Sequence, residues 1–167
     1  MLNHLESLAK RVEGSNELVD HWLHIRKHLL VSYYHLVGLK PGKESHAALD
    51  EKALDDFCQG LVDYLSAGHF KIYEHIIREM KGNSPLLAAS QLYPQLEHNT
   101  QRIMDYYESH LVEAIDHDNC LEFQQVLSEL GEALAERFLL EDKLIILAFD
   151  NNLQRSANDE GDLACPA

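Results

Sequence analysis

The chain has 167 residues, of which 46% are hydrophobic, and sets 14 Lys and Arg against 28 Asp and Glu for a net charge of −14. That length suits one domain with a real core, and that apolar content excludes a wholly disordered chain. The acidic balance disfavours direct binding to nucleic acid, whose phosphates require a basic surface, and no run of roughly eighteen apolar residues offers a membrane span.

Helical periodicity dominates, and strand-like alternation is nearly absent. Leu2 to Val12 predicts a short first helix closed by Gly14. Ser15 is placed to cap a second, which runs to about Val37 through Leu18, Trp22, Ile25, Leu29, Tyr33 and Leu36. GLKPGKES, from Gly38 to Ser45, is a loop. A third helix is expected from near Asp50 to about Lys81. GNSP comes next, with Ser84 as N-cap and Pro85 at the first helical position. The fourth reaches about Asp116, and Pro94 predicts a kink or restart within it. Asn119 is placed to cap the fifth, with Glu122 three residues on, and that helix reaches about Asp150. Short connections favour antiparallel neighbours. The expected architecture is therefore all-α: an antiparallel four-helix bundle of long, partly kinked helices with a short extra N-terminal helix. Residues 1–150 form its single domain, and the aperiodic tail 151–167 is expected to be disordered.

Few residues invite chemistry. The three cysteines, Cys58, Cys120 and Cys165, are odd in number and lack CxxC spacing; the first residues lack a signal-peptide pattern. Both point to a reduced, cytoplasmic protein. No Gly-rich phosphate loop, GxSxG or HExxH occurs. Cys58 lies on an apolar helix face and reads as core, while Cys120 lacks an assignable base. Asp55 and Asp56 complement a helix dipole. His117-Asp118 resembles a phosphohydrolase dipeptide but stands where capping is needed. The stripe His21, His24, His28 and His35 is an alternative metal-binding surface, yet no Glu-x-x-His pair accompanies it. No cofactor, metal or catalytic residue is assigned. Trp22 and Tyr33 follow the core stripe. The acidic last helix, with Glu122, Glu129, Glu132, Glu136, Glu141 and Asp142 against Arg137 and Lys143, reads first as a solvated face.

The segment Leu54 to Met80 is the exception. Leu54, Phe57, Cys58, Leu61, Val62, Leu65, Ile72, Tyr73, Ile76 and Met80 recur at helical spacing. At about 100° per residue, Asp56, Gly60, Asp63, Ala67, Phe70 and Glu74 fall opposite. A large aromatic among small and acidic residues either anchors a partner's close-packed backbone or folds over Gly68 to cover the bundle end. Charge adds an inference about the partner. Residues 83–167 carry 16 acids against 4 bases, and opposite potentials accelerate association with a basic protein.

Four runs then carry a resemblance: VDHWLHIRKHLLVSYYHLVGLKPGKES from Val19 to Ser45, EKALDDFCQGLVDYLSAGHFKIYE from Glu51 to Glu74, PQLEHNTQRIMDYYESHL from Pro94 to Leu111, and AIDHDNCLEFQQVLSELGEALAERFLLEDKLI from Ala114 to Ile145. Over about residues 1–150 the chain resembles the Rsd/AlgQ family of bacterial anti-sigma factors. The resemblance implies a helical bundle that sequesters the primary sigma factor of RNA polymerase. It implies contact with the sigma factor's basic C-terminal helix-turn-helix region, blocking both core polymerase and the −35 promoter element in stationary phase. Joined to the unusual face, it makes Asp63 the electrostatic partner of sigma arginines or lysines and Phe70 the apolar anchor. Ser66 and Ala67 allow close approach, and Gly60 and His69 border the contact. The free protein is expected to be monomeric. An adaptor for another basic regulatory protein is the remaining alternative.

Overall fold

The computed structural model describes residues 1–14, 16–38, 47–111 and 120–149, the side chains of residues 47–51, 69, 70 and 120 excepted. All regular structure among the described residues is helical. Helix α1 spans Leu2–Val12, α2 Glu17–Gly38, α3 Ala47–Ala67, α4 Tyr73–Glu79, α5 Asn83–Tyr106 and α6 Cys120–Phe149. Two π-helical turns, Gly68–Ile72 and Tyr107–Leu111, directly succeed α3 and α5.

Antiparallel packing is evident from which residues meet. On α2 and α3, Tyr33 meets Phe57 while Arg26 meets Tyr64. On α2 and α6, the Tyr33 hydroxyl donates to the Leu127 carbonyl at 2.9 Å while Arg26 reaches Glu141. Helix α5 lies along α6, and α1 packs on α2 and α6. The shared interior holds Trp22, Phe57, Leu61, Tyr64, Tyr73, Ile76, Leu96, Ile103, Leu130, Leu134 and Ile145, all fully buried. Each such apolar side chain stabilises the fold by roughly 1.5–3 kcal/mol. Trp22 and Tyr33 are core residues, as their spacing predicts.

The expected third helix is not continuous. The Tyr73 amide donates to the Gly68 carbonyl, five residues back, which closes a π turn. One extra residue rotates the downstream helix by about 100° relative to an uninterrupted one. That rotation reconciles two apolar stripes: Phe57, Leu61, Tyr64 and Leu65 before the turn, and Tyr73, Ile76 and Met80 after it, are all buried. The uniform helical wheel is therefore valid from Asp56 to Ala67 but not across Gly68, so it does not place Phe70 or Glu74 relative to Asp63.

Other boundaries shift for local reasons. Asn16 accepts from the Leu18 and Val19 amides at 3.0 and 3.3 Å, so Asn16 caps α2; Ser15 lies outside the described residues. Gly14 adopts φ +73°, a left-handed conformation suited to ending α1. Helix α5 begins at Asn83, with Gly82 at the N-cap and φ +94°, ahead of the expected start. Pro94 stands inside α5, which continues through it to Tyr106 rather than restarting. The loop 39–46, the junction 112–119 with its His117, Asp118 and Asn119, and the tail from residue 150 lie outside the described residues.

Helix α6 meets α2 closely at one glycine. A Cβ at Gly131 would stand 2.0 Å from the Tyr33 hydroxyl oxygen and 2.7 Å from its Cζ. Gly131→Ala should therefore destabilise the protein by about 1–3 kcal/mol, despite alanine's better helix propensity. Urea denaturation checks this; unchanged or increased stability would show that Tyr33 withdraws at no cost.

Candidate partner-docking site

The outer face of α3 presents the expected residues in part. Asp56, Asp63 and Ser66 are exposed, and Gly60 and Ala67 are half-buried. Positions 60, 63 and 67 recur at three- and four-residue spacing and share one helix face. The Asp63 carboxylate accepts from the Gln59 side-chain amide at 2.9 Å, one turn earlier. Gly60 lies at the seam with α2: a Cβ there would sit 3.8 Å from Leu29 Cδ1, an ordinary contact. Space under Gly60 is therefore not what demands a glycine. The backbone at His69 and Phe70 belongs to the π turn; their side chains are among those excepted above. Beyond the turn, Glu74 pairs with Arg78 at 3.2 Å on the surface. His75 Nε2 lies 2.8 Å from Asn16 Nδ2, tying α4 to the residue that caps α2.

Beneath this face lies a buried ionic cluster that sequence reasoning missed. Arg26 donates through Nε to the Tyr64 hydroxyl at 2.9 Å and through Nη2 to Glu141 Oε2 at 3.0 Å, and its Nη1 pairs with Asp142 Oδ1. Glu141 also accepts from the Tyr64 and Tyr73 hydroxyls, the latter at 2.6 Å. Arg137 Nε lies 2.8 Å from Glu141 Oε1, an ion-pair contact without hydrogen-bond alignment. The same guanidinium donates to Tyr73 Oη at 2.7 Å and to Thr100 Oγ1 at 2.8 Å. Trp22 stacks on Tyr64 and meets Tyr73 edge-on, and Arg26 lies over the Phe138 ring at 4.9 Å. Arg137 and Glu141 are 0% exposed. This corrects their assignment to a solvated face, whereas Glu122, Glu132 and Glu136 are not buried. The available signal was Arg26 four residues from Trp22, and Arg137 four from Glu141, each on an apolar stripe.

Burial raises the Tyr64 and Tyr73 phenols well above their ordinary 10.0; Glu141 pushes the same way and the arginines oppose it. Burial alone would lower Arg26, but Tyr64, Glu141 and Asp142 together hold it above its usual value. Burial raises the Asp142 carboxyl, with Arg26 opposing. Burial and then Asp55 push the Cys58 thiol up to about 11, so it is protonated and inert at neutral pH.

His21, His24, His28 and His35 are exposed. His24 and His28 approach at 2.9 Å. Among the described residues no three His, Cys, Asp or Glu side chains come together as a metal site. No helix among them is long and apolar enough to cross a membrane.

The cluster has two measurable effects. Glu141→Ala leaves two buried guanidiniums short of a counter-charge and should cost about 3–5 kcal/mol, read by urea denaturation; a loss below about 1 kcal/mol, the scale of an exposed pair, would contradict the buried geometry. The raised phenols set an alkaline limit. Above pH 10 the folded state keeps protons that the unfolded state loses, so stability present below that pH falls as pH rises. Tyr64→Phe should flatten that decline, and an unchanged slope would contradict it.

Comparisons with known proteins agree with one another. A family model described as Regulator of RNA polymerase sigma(70) subunit, Rsd/AlgQ, matches residues 1–149. A protein named Regulator of sigma D from Enterobacter sp. (strain 638) is 70% identical over 167 residues, covering 100% of both chains. Another of that name from Salmonella arizonae is 71% identical over 150 residues, covering 90% of this chain and 93% of the relative. A third, from Salmonella newport (strain SL254), is 69% identical over the same share of each chain.

Proposed function

The chain belongs to the Rsd/AlgQ family, regulators of the RNA polymerase sigma(70) subunit, and from that premise we propose that it is a cytoplasmic anti-sigma factor acting by stoichiometric sequestration, without catalysis. The observation that carries this reading is the family match across residues 1–149, supported by full-length relatives at about 70% identity. Residues 1–150 act as one domain and bind as a monomer. The partner region is the sigma factor's basic C-terminal helix-turn-helix, whose occupation blocks both core polymerase and promoter DNA.

Surface chemistry supports a contact on the outer face of α3. Exposed Asp56 and Asp63 supply negative charge there, which steers a basic partner. Asp63 pairs with sigma arginines or lysines, and Phe70 is the apolar anchor. Ser66 and Ala67 allow close approach, and Gly60 and His69 form the border. A π turn runs through this surface at Gly68–Ile72, and such turns often mark functional sites.

Isothermal titration with the purified primary sigma factor, and with its isolated C-terminal region, tests the reading. Saturable binding of both is expected, and absence of binding to either would overturn it. Phe70→Ala should weaken binding by about 2 kcal/mol or more, roughly thirtyfold, while leaving helicity intact. Asp63→Arg should slow association and weaken its salt dependence. Wild-type affinity in the first variant would remove Phe70 from the contact, and unchanged kinetics in the second would remove the electrostatic role.

A further inference from the structure

The π turn rests directly on the buried cluster. Gly68 is buried, and a Cβ there would lie 3.1 Å from the Tyr73 hydroxyl oxygen, 3.2 Å from its Cζ and 3.5 Å from Arg137 Nη2. A helical side chain points back toward the preceding turn, so the Tyr73 phenol fills the space that a side chain at position 68 would need. The Tyr73 amide meanwhile closes the π turn onto the Gly68 carbonyl. One residue thus holds the turn twice, through its backbone and through its ring. The ring is itself fixed: its hydroxyl donates to Glu141 and accepts from Arg137, and it meets Trp22 and Tyr93 edge-on.

The consequence reaches the surface. An ordinary α-helical turn in place of the π turn would rotate everything after it by about 100° relative to α3. The π turn therefore sets how α4, with Glu74, is rotated relative to Asp63 and Ala67 on α3. Resting on the reading that this face docks the sigma factor, we propose that Tyr73, clamped by Glu141 and Arg137 under Gly68, is a positioning residue for partner recognition. It touches no partner. It fixes the angle between the acidic half of the docking face on α3 and the half beyond the turn. A side chain at position 68 would press on the phenol tightly enough that the clamped ring must give by a few tenths of an ångström.

Two variants with opposite local effects test this by titration with the purified primary sigma factor. Tyr73→Phe keeps the ring and removes the hydroxyl that Glu141 and Arg137 hold; binding should weaken roughly tenfold. Gly68→Ala improves intrinsic helix propensity but obliges the clamped phenol to give by a few tenths of an ångström, and should weaken binding by a similar factor. A purely structural role would make affinity track stability, so Leu8→Ala serves as control. Leu8 is buried in α1, which packs on α2 and α6, and its loss should lower stability without changing affinity. Wild-type affinity in both Tyr73→Phe and Gly68→Ala, while Phe70→Ala is weakened, would overturn the positioning role and leave the docking face standing. Wild-type affinity in Phe70→Ala and Asp63→Arg as well would instead overturn the docking face. Should Tyr73→Phe fail to fold, Gly68→Ala alone decides.

Discussion

Two guanidiniums and one carboxylate buried together, with the half-buried Asp142 at their edge, constrain this fold more tightly than its apolar contacts do. Arg26 and Arg137 are 1% and 0% exposed, and Glu141 is 0% exposed. An unpaired charge at such depth would cost several kcal/mol after relaxation, so each buried charge in the cluster demands its counter-charge in place. The cluster's members come from five helices: Arg26 from α2, Tyr64 from α3, Tyr73 from α4, Thr100 from α5, and Arg137, Glu141 and Asp142 from α6. Apolar side chains tolerate a shifted neighbour, because burial is non-directional. Hydrogen bonds of 2.6–3.0 Å do not. The cluster therefore sets the register of the bundle, at a desolvation cost that a hydrophobic core would avoid.

The same cluster links the interior to the surface. Tyr73 belongs to the network and closes the π turn, and that turn divides the segment from Leu54 to Met80 into two helices with different rotational phase. The segment exposes Asp56 and Asp63 on α3 and Glu74 on α4, in a chain whose net charge is −14. If the proposed contact with the sigma factor lies here, the fixed phase of the two helices adds shape to charge in that recognition. The histidine stripe on α2 contributes nothing to this arrangement, since His21, His24 and His28 point away from the cluster into solvent.

The helical class was legible because periodicity near 3.6 residues depends only on which positions are apolar. Trp22 and Tyr33 were legible for the same reason. Arg26, Arg137 and Glu141 were not read as interior, because charge outweighed position: each lies on an apolar stripe, and an Arg four residues before a Glu there is the mark of a buried pair. The π turn was harder. A glycine such as Gly68 weakens a helix, but a break and a one-residue bulge share that signal, and only the stripe resuming one position late, at Tyr73, Ile76 and Met80, separates them. The wheel therefore grouped Gly60, Asp63 and Ala67 correctly and lost its phase beyond Gly68. Capping by Asn16 rather than Ser15 hung on a single residue of chain direction, which composition does not resolve.

A sigma factor seated on the outer face of α3 and the π turn below it would shield the backbone there from water. Amide hydrogen exchange of the full chain, free and saturated with purified primary sigma factor, reads that shielding most directly. Protection should rise across residues 56–74 and stay unchanged on the outer face of α2 around His24 and His28. Protection that appears on α2 while residues 56–74 exchange as in the free protein would contradict docking on α3.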